Sequence, residues 1–376
     1  MRNLRHPSPV WVRGSEIHLS NRCSLPDLSA SPVRTLRNGA RELRSVLVDD
    51  CNVELRDDGG FLGDRANKKT FQAMLGRWRA GLGEADPLRD LPTQELYKEK
   101  QELEKILLGG DPLAAGLLIG AIEDFSRALS EVVERFLALP AWRDAQRIVI
   151  GGGFREGRIG ELVVGRTAVL LRHAGAQVEL VPIRHHPDAA GLLGGVELAP
   201  EWALDEFDGI LAADIGGTNI RVGVVAFGSG PGSAEIWQSQ GWRHADDRPE
   251  RDEAVEALIG MLRELVRATE AKKFRLAPFV AVACPGVIRA DGTIARGAQN
   301  LPGDWEHEEF NLPDRIRRGL PRIQGEEAAV TMHNDAVVQG LSEAWFMRDV
   351  RRWGVLTVGT GLGNAHFTNR ARPSPR

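Results

Sequence analysis

Residues 209–226 read Gly-Ile-Leu-Ala-Ala-Asp-Ile-Gly-Gly-Thr-Asn-Ile-Arg-Val-Gly-Val-Val-Ala, and the fold is decided here. Two apolar runs flank a glycine-bearing turn, a pattern typical of a β-hairpin. The turn holds the carboxylate of Asp214 beside Gly216, Gly217 and the hydroxyl of Thr218. Amides exposed by glycines can cradle a phosphate, and a carboxylate can hold the accompanying metal. An ordinary turn with a solvated Asp explains the same residues, so both interpretations stay open.

Length and composition favour a two-lobed, soluble globular protein. The chain has 376 residues, 42% hydrophobic and 27% charged, and its net charge of −4 gives no argument for binding nucleic acid or membranes. Cys23, Cys51 and Cys284 are scattered, without a disulfide framework or a zinc-binding spacing, which suits a reducing compartment. We find no apolar run of membrane-spanning length and no signal-peptide core, so we expect a cytoplasmic protein.

Residues 1–45 differ from the rest, with eight arginines against three acidic residues and no sustained period. One interpretation is a basic arm for nucleic acid. No helix-turn-helix pattern follows, so we expect a partly disordered extension and no nucleic-acid partner.

The first half then predicts helices over residues 66–80 and 111–138, followed by a strand–helix–strand unit over 147–184. The first strand of that unit runs into Gly151, Gly152 and Gly153. Such glycines let a ligand approach the backbone, or simply make a tight turn that binds nothing. A nucleotide-binding oxidoreductase is a third interpretation, although the spacing is not G-x-G-x-x-G.

The second half adds a helix near residues 250–269, a buried strand over 279–284 and a polar loop over 291–305. A later strand leads to Asn334 and Asp335 at the head of a helix. Such an Asp is either an N-cap or a base that accepts a proton from a substrate hydroxyl. A last strand delivers the glycine loop of residues 359–363. Phosphoryl transfer to a sugar requires such a base, a metal carboxylate and two amide-rich loops, all of which this chain offers.

Several motifs together resemble the ROK family of sugar kinases and repressors, within the hexokinase and actin superfamily. Asp214-Ile-Gly-Gly-Thr-Asn-Ile-Arg221 resembles its first phosphate motif, and Gly359-Thr-Gly-Leu-Gly363 its second phosphate loop. Asn334-Asp335 matches its catalytic pair. The family's sugar-loop region is similar to Cys284-Pro-Gly-Val-Ile and Asn300-Leu-Pro-Gly-Asp-Trp305. Its adenosine motif is similar to Ile148-Val-Ile-Gly-Gly-Gly-Phe154, and its C-terminal helix is similar to Asp188-Ala-Ala-Gly-Leu-Leu-Gly194.

The resemblance implies a two-lobed actin-like ATPase (ribonuclease H-like) α/β fold, with ATP and Mg²⁺ as cofactors. Asp335 is then the general base, and Asp214 positions Mg²⁺ through water. The sugar contacts implied are Gly286, Asn300, Asn334 and Asp335. The nucleotide contacts implied are Asp214, Gly216, Gly217, Thr218, Asn219, Arg221, Gly359, Thr360, Gly361, Gly363, Gly151, Gly152 and Gly153.

The order of the motifs departs from the family, because the adenosine motif precedes the first phosphate motif. Each motif occurs once, so we interpret the chain as circularly permuted. The expected divisions are a basic extension over 1–45, a C-terminal-type lobe over 46–200, a linker over 201–208, a phosphate- and sugar-binding lobe over 209–370 and a tail over 371–376.

Two family features are missing. The zinc-binding His and Cys-x-Cys cluster is absent, so we expect no structural zinc, and no Glu-x-x-His pair follows Gly363. Only Glu16-Ile17-His18 loosely resembles that pair. We therefore expect an ATP-dependent sugar kinase, glucokinase-like and acting on a hexose or N-acetylhexosamine, with a homodimer as one option for its assembly. A non-catalytic sugar-binding sensor of the same family is the alternative.

Overall fold

A computed structural model of the chain describes residues 37–58, 60–93, 100–155, 157–230 and 232–370. Most of the predicted basic extension, the Glu16–His18 segment and the tail over 371–376 therefore lie outside the described residues.

The described residues form two five-stranded mixed sheets with helices around them. The α-helices are α1 Lys68–Leu82, α2 Lys100–Gly109, α3 Pro112–Leu137, α4 Arg158–His173, α5 Pro187–Gly194, α6 Glu201–Glu206, α7 His244–Asp247, α8 Arg251–Ala271, α9 Leu312–Gly319 and α10 Asp335–Leu341. The strands are β1 Val46–Cys51, β2 Arg56–Asp57, β3 Gly60–Phe61, β4 Arg147–Gly151, β5 Glu179–Pro182, β6 Gly209–Ile215, β7 Ile220–Ala226, β8 Glu235–Trp242, β9 Leu276–Cys284, β10 Arg322–Ile323, β11 Glu326–Glu327, β12 Ala329–Asn334, β13 Arg352–Val358 and β14 Leu362–Asn369.

We name the sheet with the strand order β12-β9-β6-β7-β8 sheet II. Its strands β6 and β7 form the predicted hairpin. Strands β6, β7 and β8 form an antiparallel meander, and β9 and β12 continue the sheet parallel to β6. Every residue of β6 and β9 is buried. Continuous burial is what a strand covered on both faces requires, and it explains their unbroken apolar runs.

Sheet I has the order β1-β14-β13-β4-β5 and repeats the same scheme. Strand β14 runs antiparallel to β13, and β1 runs antiparallel to β14, while β4 and β5 continue the sheet parallel to β13. The pairs β6–β7 and β13–β14 thus occupy equivalent positions in the two sheets. In sheet II the third strand of the meander follows directly, whereas in sheet I it is β1, near the start of the chain.

The predicted division into lobes is wrong for residues 352–369. Strands β13 and β14 belong to sheet I with residues 46–182, because β13 pairs in parallel with β4, from Trp353 opposite Arg147 to Thr357 opposite Gly151. The segment expected as a linker, 201–208, also contains helix α6, with Ala203 fully buried. Polar residues at its surface gave the segment the composition of a linker.

The last described residue, Arg370, meets residues 43–45, just before β1, at the edge of sheet I. The Arg370 backbone N–H donates to the Ser45 carbonyl at 3.0 Å, and the Arg370 guanidinium donates to the Leu43 carbonyl at 2.8 Å. Residue 370 thus lies beside residue 45, where a β14–β1 hairpin turn would otherwise stand.

Three apolar clusters hold the layers together. Helices α1, α3 and α4 cover one face of sheet I, where Phe71, Phe125 and Phe154 are in mutual ring contact. Helices α8 and α9 cover one face of sheet II. Helices α5 and α10 lie between the sheets and contribute residues such as Leu192 and Val337 to a shared core. The carboxyl ends of the sheet II parallel strands and both β-hairpin turns gather around these two helices.

Among the described residues, no single helix is long and apolar enough to cross a membrane. The helical segments Leu103–Gly109 and Pro112–Leu137 reach that length and apolarity only when counted together, and the chain bends by 115° between them.

Candidate active site

Asp214 and Asp335 lie at the carboxyl ends of strands that flank β9. Asp214, near the end of β6, pairs in register with Ala283, and Asn334, the last residue of β12, pairs with Cys284. Asp335 follows Asn334 directly. Two strand spacings of about 4.8 Å therefore separate the two carboxylate-bearing chains, which leaves room for a small group between them.

The Asp214 carboxylate is buried, with 4% of the residue exposed. Burial raises its pKa to about 6; the Arg221 guanidinium opposes this shift, and the charge of Asp188 adds to it. Arg221 lies 3.9 Å from Asp214 and forms a closer ion pair with Asp188, in the first turn of α5. The structure therefore places Arg221, predicted as a nucleotide contact, between two carboxylates.

Helix α5 packs directly on the Asp214 carboxylate through Gly191. A Cβ at position 191 would lie 2.6 and 2.7 Å from the two carboxylate oxygens. Only glycine leaves space for the carboxylate in its present position. Neither Gly191 nor the role of Asp188 was predicted individually, although both lie in the helix motif that carried the family resemblance.

Asp335 is the first residue of α10, but its neighbour Asn334 caps the helix. The Asn334 side-chain oxygen accepts from the Val337 N–H at 3.2 Å, while the Asp335 carboxylate accepts from the adjacent Ala336 N–H at 2.9 Å. The N-cap interpretation of Asp335 is therefore wrong, because Asn334 fills that role. Burial, reinforced by the charge of Asp214, raises the pKa of Asp335 to about 7.

The buried Cys284 thiol lies between the two acids on the middle strand. Burial raises its pKa well above the usual range, with the charges of Asp335 and then Asp214 adding to the effect. The thiol is therefore protonated, and it packs in the apolar cluster that α8 and α9 cover.

The two phosphate-type loops face each other, since each is the turn of an equivalent hairpin. The Thr218 and Thr360 hydroxyl oxygens are 3.1 Å apart. Asn300 lies against both turns: a Cβ at Gly217 would lie 2.9 Å from the Asn300 Cβ, and one at Gly361 would lie 3.9 Å from the Asn300 amide nitrogen. The first turn is also held by His244, whose ring contacts the Gly216 carbonyl at 2.8 Å. That buried His was not predicted from the sequence.

The predicted adenosine segment lies beside the second of these loops. Gly152 has a φ of +83°, and a Cβ there would lie 2.7 Å from the Val358 backbone nitrogen, directly before Gly359. Gly363, at the other end of the loop, packs on Ala336 next to Asp335, since a Cβ there would lie 3.0 Å from the Ala336 Cβ. The structure thus brings together all three glycine segments and both acids.

Gly286 contacts the predicted catalytic pair, Asn334 and Asp335, through its backbone. Its carbonyl accepts from the Asn334 side-chain amide at 3.0 Å, and Asn334 is buried, with 1% of the residue exposed. His333 is also buried: its Nδ1 accepts from the Asn334 N–H at 2.8 Å, and its Nε2 donates to the Ala40 carbonyl at 3.0 Å. Burial lowers the pKa of His333 to about 4, so the ring is neutral.

The surface at these loops fits a bound nucleotide with its metal. A Cβ at Gly153 would meet nothing within 4 Å, and one at Gly359 would meet a single atom at 3.9 Å, so there is space beside both glycines. Among the described residues, no cluster of three or more His, Cys, Asp or Glu side chains suits a metal ion. A single carboxylate such as Asp214 suits Mg²⁺, which keeps several waters and is completed by substrate phosphates. The expectation of no structural zinc stays a prediction.

No family model matches the sequence, and no curated protein matches it. Three solved structures are similar to part of the chain. A candidate N-acetylmannosamine kinase from Listeria monocytogenes is 25% identical, with a TM-score of 0.31 over 43% of this chain and 47% of that one. A candidate sugar kinase from Cytophaga hutchinsonii is 21% identical, with a TM-score of 0.32 over 43% and 48%. A ROK hexokinase from Thermus thermophilus is 21% identical, with a TM-score of 0.26 over 41% and 45%. The chain thus spans less than half the length of each of these proteins, and over that part it is similar to ROK-family sugar kinases.

Proposed function

We propose that this protein is an ATP-dependent sugar kinase that transfers a phosphoryl group to a hydroxyl of a hexose or N-acetylhexosamine. One observation carries the proposal: Asp214, which is buried, and Asp335, which is half-buried, lie at the carboxyl ends of the two strands that flank β9, where two glycine turns meet through Thr218 and Thr360. The arrangement supplies a base, a metal carboxylate and phosphate-binding amides in one place, which are the parts that phosphoryl transfer requires.

Asp335 is the general base of the proposed reaction. Its carboxylate accepts the proton of the sugar hydroxyl as the oxygen of that hydroxyl bonds to the γ-phosphorus and the bond from phosphorus to the ADP oxygen breaks. A pKa of about 7 suits this role, because a base is most effective when its pKa lies near the working pH. Asn334 and Asn300 orient the sugar, and Asn334 is itself fixed by its bonds to Val337 and Gly286.

Asp214 would hold Mg²⁺ through water, and Gly217 and Gly361 would offer backbone amides to the phosphates. The Gly216 and Gly359 N–H groups instead close the two turns, by donating to the Asn219 and Gly361 carbonyls, both at 2.9 Å. When bound, Mg²⁺ neutralises charge on the transferred phosphoryl group. Arg221 remains with Asp188 and Asp214, and its contribution is to keep the Asp214 carboxylate in place.

We further propose that the chain is a circular permutation of the family order, opened between β14 and β1. Two observations support this: sheets I and II share one strand scheme, and Arg370 bonds to Ser45 where a hairpin turn would connect them. In sheet II the equivalent strands β7 and β8 follow one another along the chain.

The decisive experiment measures sugar-dependent ADP release over a panel of hexoses and N-acetylhexosamines, with the wild type and Asp335→Asn. We expect one sugar class to be phosphorylated, and the variant to lose about 10²–10⁴-fold in kcat, because the amide keeps the shape but accepts no proton. Nucleotide affinity should change little. Near-normal turnover of the variant would contradict the role of Asp335. Sugar binding by the wild type without ADP release would instead favour the non-catalytic sensor.

A further inference from the structure

The loop after β9 forms a short hairpin whose base lies beside the catalytic pair. The Val287 N–H donates to the Arg296 carbonyl and the Ala295 N–H to the Val287 carbonyl, both at 2.8 Å. The base consists of Gly286 and Gly297, with φ of +103° and +91°. Because the Gly286 carbonyl also accepts from Asn334, this base is in direct contact with the proposed sugar site.

Asn52, just after β1 in sheet I, packs on the base of this hairpin. A Cβ at Gly297 would lie 2.8 Å from the Asn52 amide nitrogen and 3.0 Å from the Gly286 Cα. Glu54 reaches the same hairpin, with a carboxylate oxygen 3.5 Å from the Arg296 guanidinium. The segment after β1 therefore crosses from sheet I to the loop that borders Asn334.

The backbone around Asn52 is fixed by a buried side chain from the second phosphate hairpin. Asn364 on β14 accepts from the Asn52 N–H through its carbonyl at 2.9 Å. Its side chain accepts from the Val53 N–H at 2.9 Å and donates to the Val53 carbonyl at 3.0 Å. Asn52 itself has a φ of +51°, in the left-handed region that Asn adopts more readily than most other non-glycine residues. The hydrogen bonds from Asn364 hold it there.

The Asn52 amide nitrogen is buried and has no hydrogen-bond acceptor among the described residues. A buried unpaired donor costs about 1–3 kcal/mol, so a position built to hold one calls for a bound acceptor. The amide lies against Gly297, where a Cβ would be 2.8 Å from its nitrogen.

We infer that Asn52 is a substrate-binding residue whose side-chain amide donates a hydrogen bond to an oxygen of the sugar, a hydroxyl or an N-acetyl carbonyl. The inference rests on the proposed sugar kinase function and adds to it a specificity-determining contact from sheet I. It also assigns a task to the segment after β1, in a chain that lacks the Glu-x-x-His pair after Gly363.

The test compares wild type with Asn52→Gly and Asn52→Asp, using calorimetric sugar binding and steady-state kinetics on the sugar that the panel identifies. Glycine removes the amide and accepts the positive φ, while aspartate keeps the shape and loses the donor. We expect both variants to raise the sugar Kd and KM about 3–10-fold, the loss of one hydrogen bond, with the KM for ATP within about twofold of wild type. The matched control is Glu54→Gln, which loosens the same contact between segment and hairpin and should leave the sugar KM unchanged.

A series of deoxy and des-acetyl sugars identifies the partner oxygen. For one analogue, wild type and Asn52→Gly should have equal kcat/KM, because the contact is already missing. Unchanged sugar affinity in both variants, or equal increases in the KM values of sugar and ATP, would overturn the assignment while leaving the kinase intact. If the wild type binds sugar without turnover, the proposed kinase activity is contradicted, but the sugar affinities of the variants still test the role of Asn52. If the wild type binds no sugar, both the kinase activity and the role of Asn52 are overturned.

Discussion

At position 191, a single missing side chain decides where the Asp214 carboxylate lies. We expect Gly191→Ala to displace that carboxylate, because the added Cβ would lie 2.6 and 2.7 Å from its oxygens. The displaced group would hold Mg²⁺ poorly, so kcat/KM for MgATP should fall at least about tenfold. Coupled assays over a Mg²⁺ titration measure this.

The matched control is Gly165→Ala, in the interior of α4, where a Cβ would meet nothing within 4 Å. That change should leave activity unaltered and stabilise the helix by about 0.5–1 kcal/mol. Equal activities in the two variants would show that α5 does not position Asp214.

Asp335 should cost the protein stability as the pH rises. Its folded pKa of about 7 lies above the ordinary 3.8, so from pH 3.8 to 7 the unfolded chain is ionised while the folded one retains its proton. Stability is thus fully present below pH 3.8 and declines until pH 7. Asp335→Asn removes this loss and should raise the free energy of unfolding of the metal-free protein by up to about 4 kcal/mol above pH 7, from 1.36 kcal/mol per pKa unit.

Urea unfolding of both chains from pH 5 to 8 measures the difference. The difference in unfolding free energy between Asp335→Asn and wild type should grow up to pH 7 and then stay constant. A variant that is less stable than wild type at pH 8 would mean that the carboxylate is satisfied in the fold.

At the scale of elements, the edge strand β12 depends on a neutral His333. Its ring accepts from the Asn334 N–H and donates to the Ala40 carbonyl, and protonation would turn the acceptor into a donor. The folded pKa of about 4 lies below the ordinary 6.5, so this contribution is complete above pH 6.5 and is lost as the pH falls to 4. Over that window it amounts to about 3 kcal/mol at 1.36 kcal/mol per pKa unit.

We expect His333→Gln, which titrates at no pH, to show a shallower acid dependence than wild type. Unfolding free energies measured from pH 4.5 to 7.5 should converge for the two chains on acidification. Parallel profiles would assign the acid sensitivity to other groups.

Local patterns predicted individual elements well. The hairpin at 209–226 is β6 and β7, and the helices predicted at 66–80, 111–138 and 250–269 are α1, α3 and α8 within a few residues. Each depends on neighbouring residues alone, through turn chemistry, an N-cap or apolar spacing.

Pairing between distant strands was not predictable in the same way. The residues Gly354–Val358 do not indicate that β13 lies beside β4. A strand buried on both faces has a continuous apolar sequence whichever strand it pairs with. For the same reason Asn52 was missed: its contacts come from Asn364 and Gly297, far away in sequence, and no local motif marks it.

At the scale of the whole molecule, the permutation can be reversed. The rearranged chain starts at Asp208 and runs to residue 376. A Gly/Ser linker of about ten residues then leads to residue 37, and the chain ends at Phe207. We expect this chain to fold with the same sheets. A linker of ten residues reaches at most about 35 Å, and Ser45, eight residues after the new junction, already meets Arg370. The new ends fall between α6 and β6.

Thermal unfolding and ADP release measure the outcome. A melting temperature within a few degrees of wild type and retained turnover are expected. As a control, a chain reopened inside the buried strand β9 should not fold. Failure of the first chain, with the second equally unfolded, would mean that the native order is needed for folding.

The split origin of sheet I has a consequence for synthesis on the ribosome. Residues 209–334 supply all of sheet II as one continuous stretch, but sheet I needs β1 from the start of the chain and β13 and β14 from its end. The contact between Val53 and Asn364 spans 311 residues. Loop closure over such lengths is slow, and the side of β4 that pairs with β13 stays open until β13 and β14 have been synthesised. During translation, sheet II can therefore be completed before sheet I.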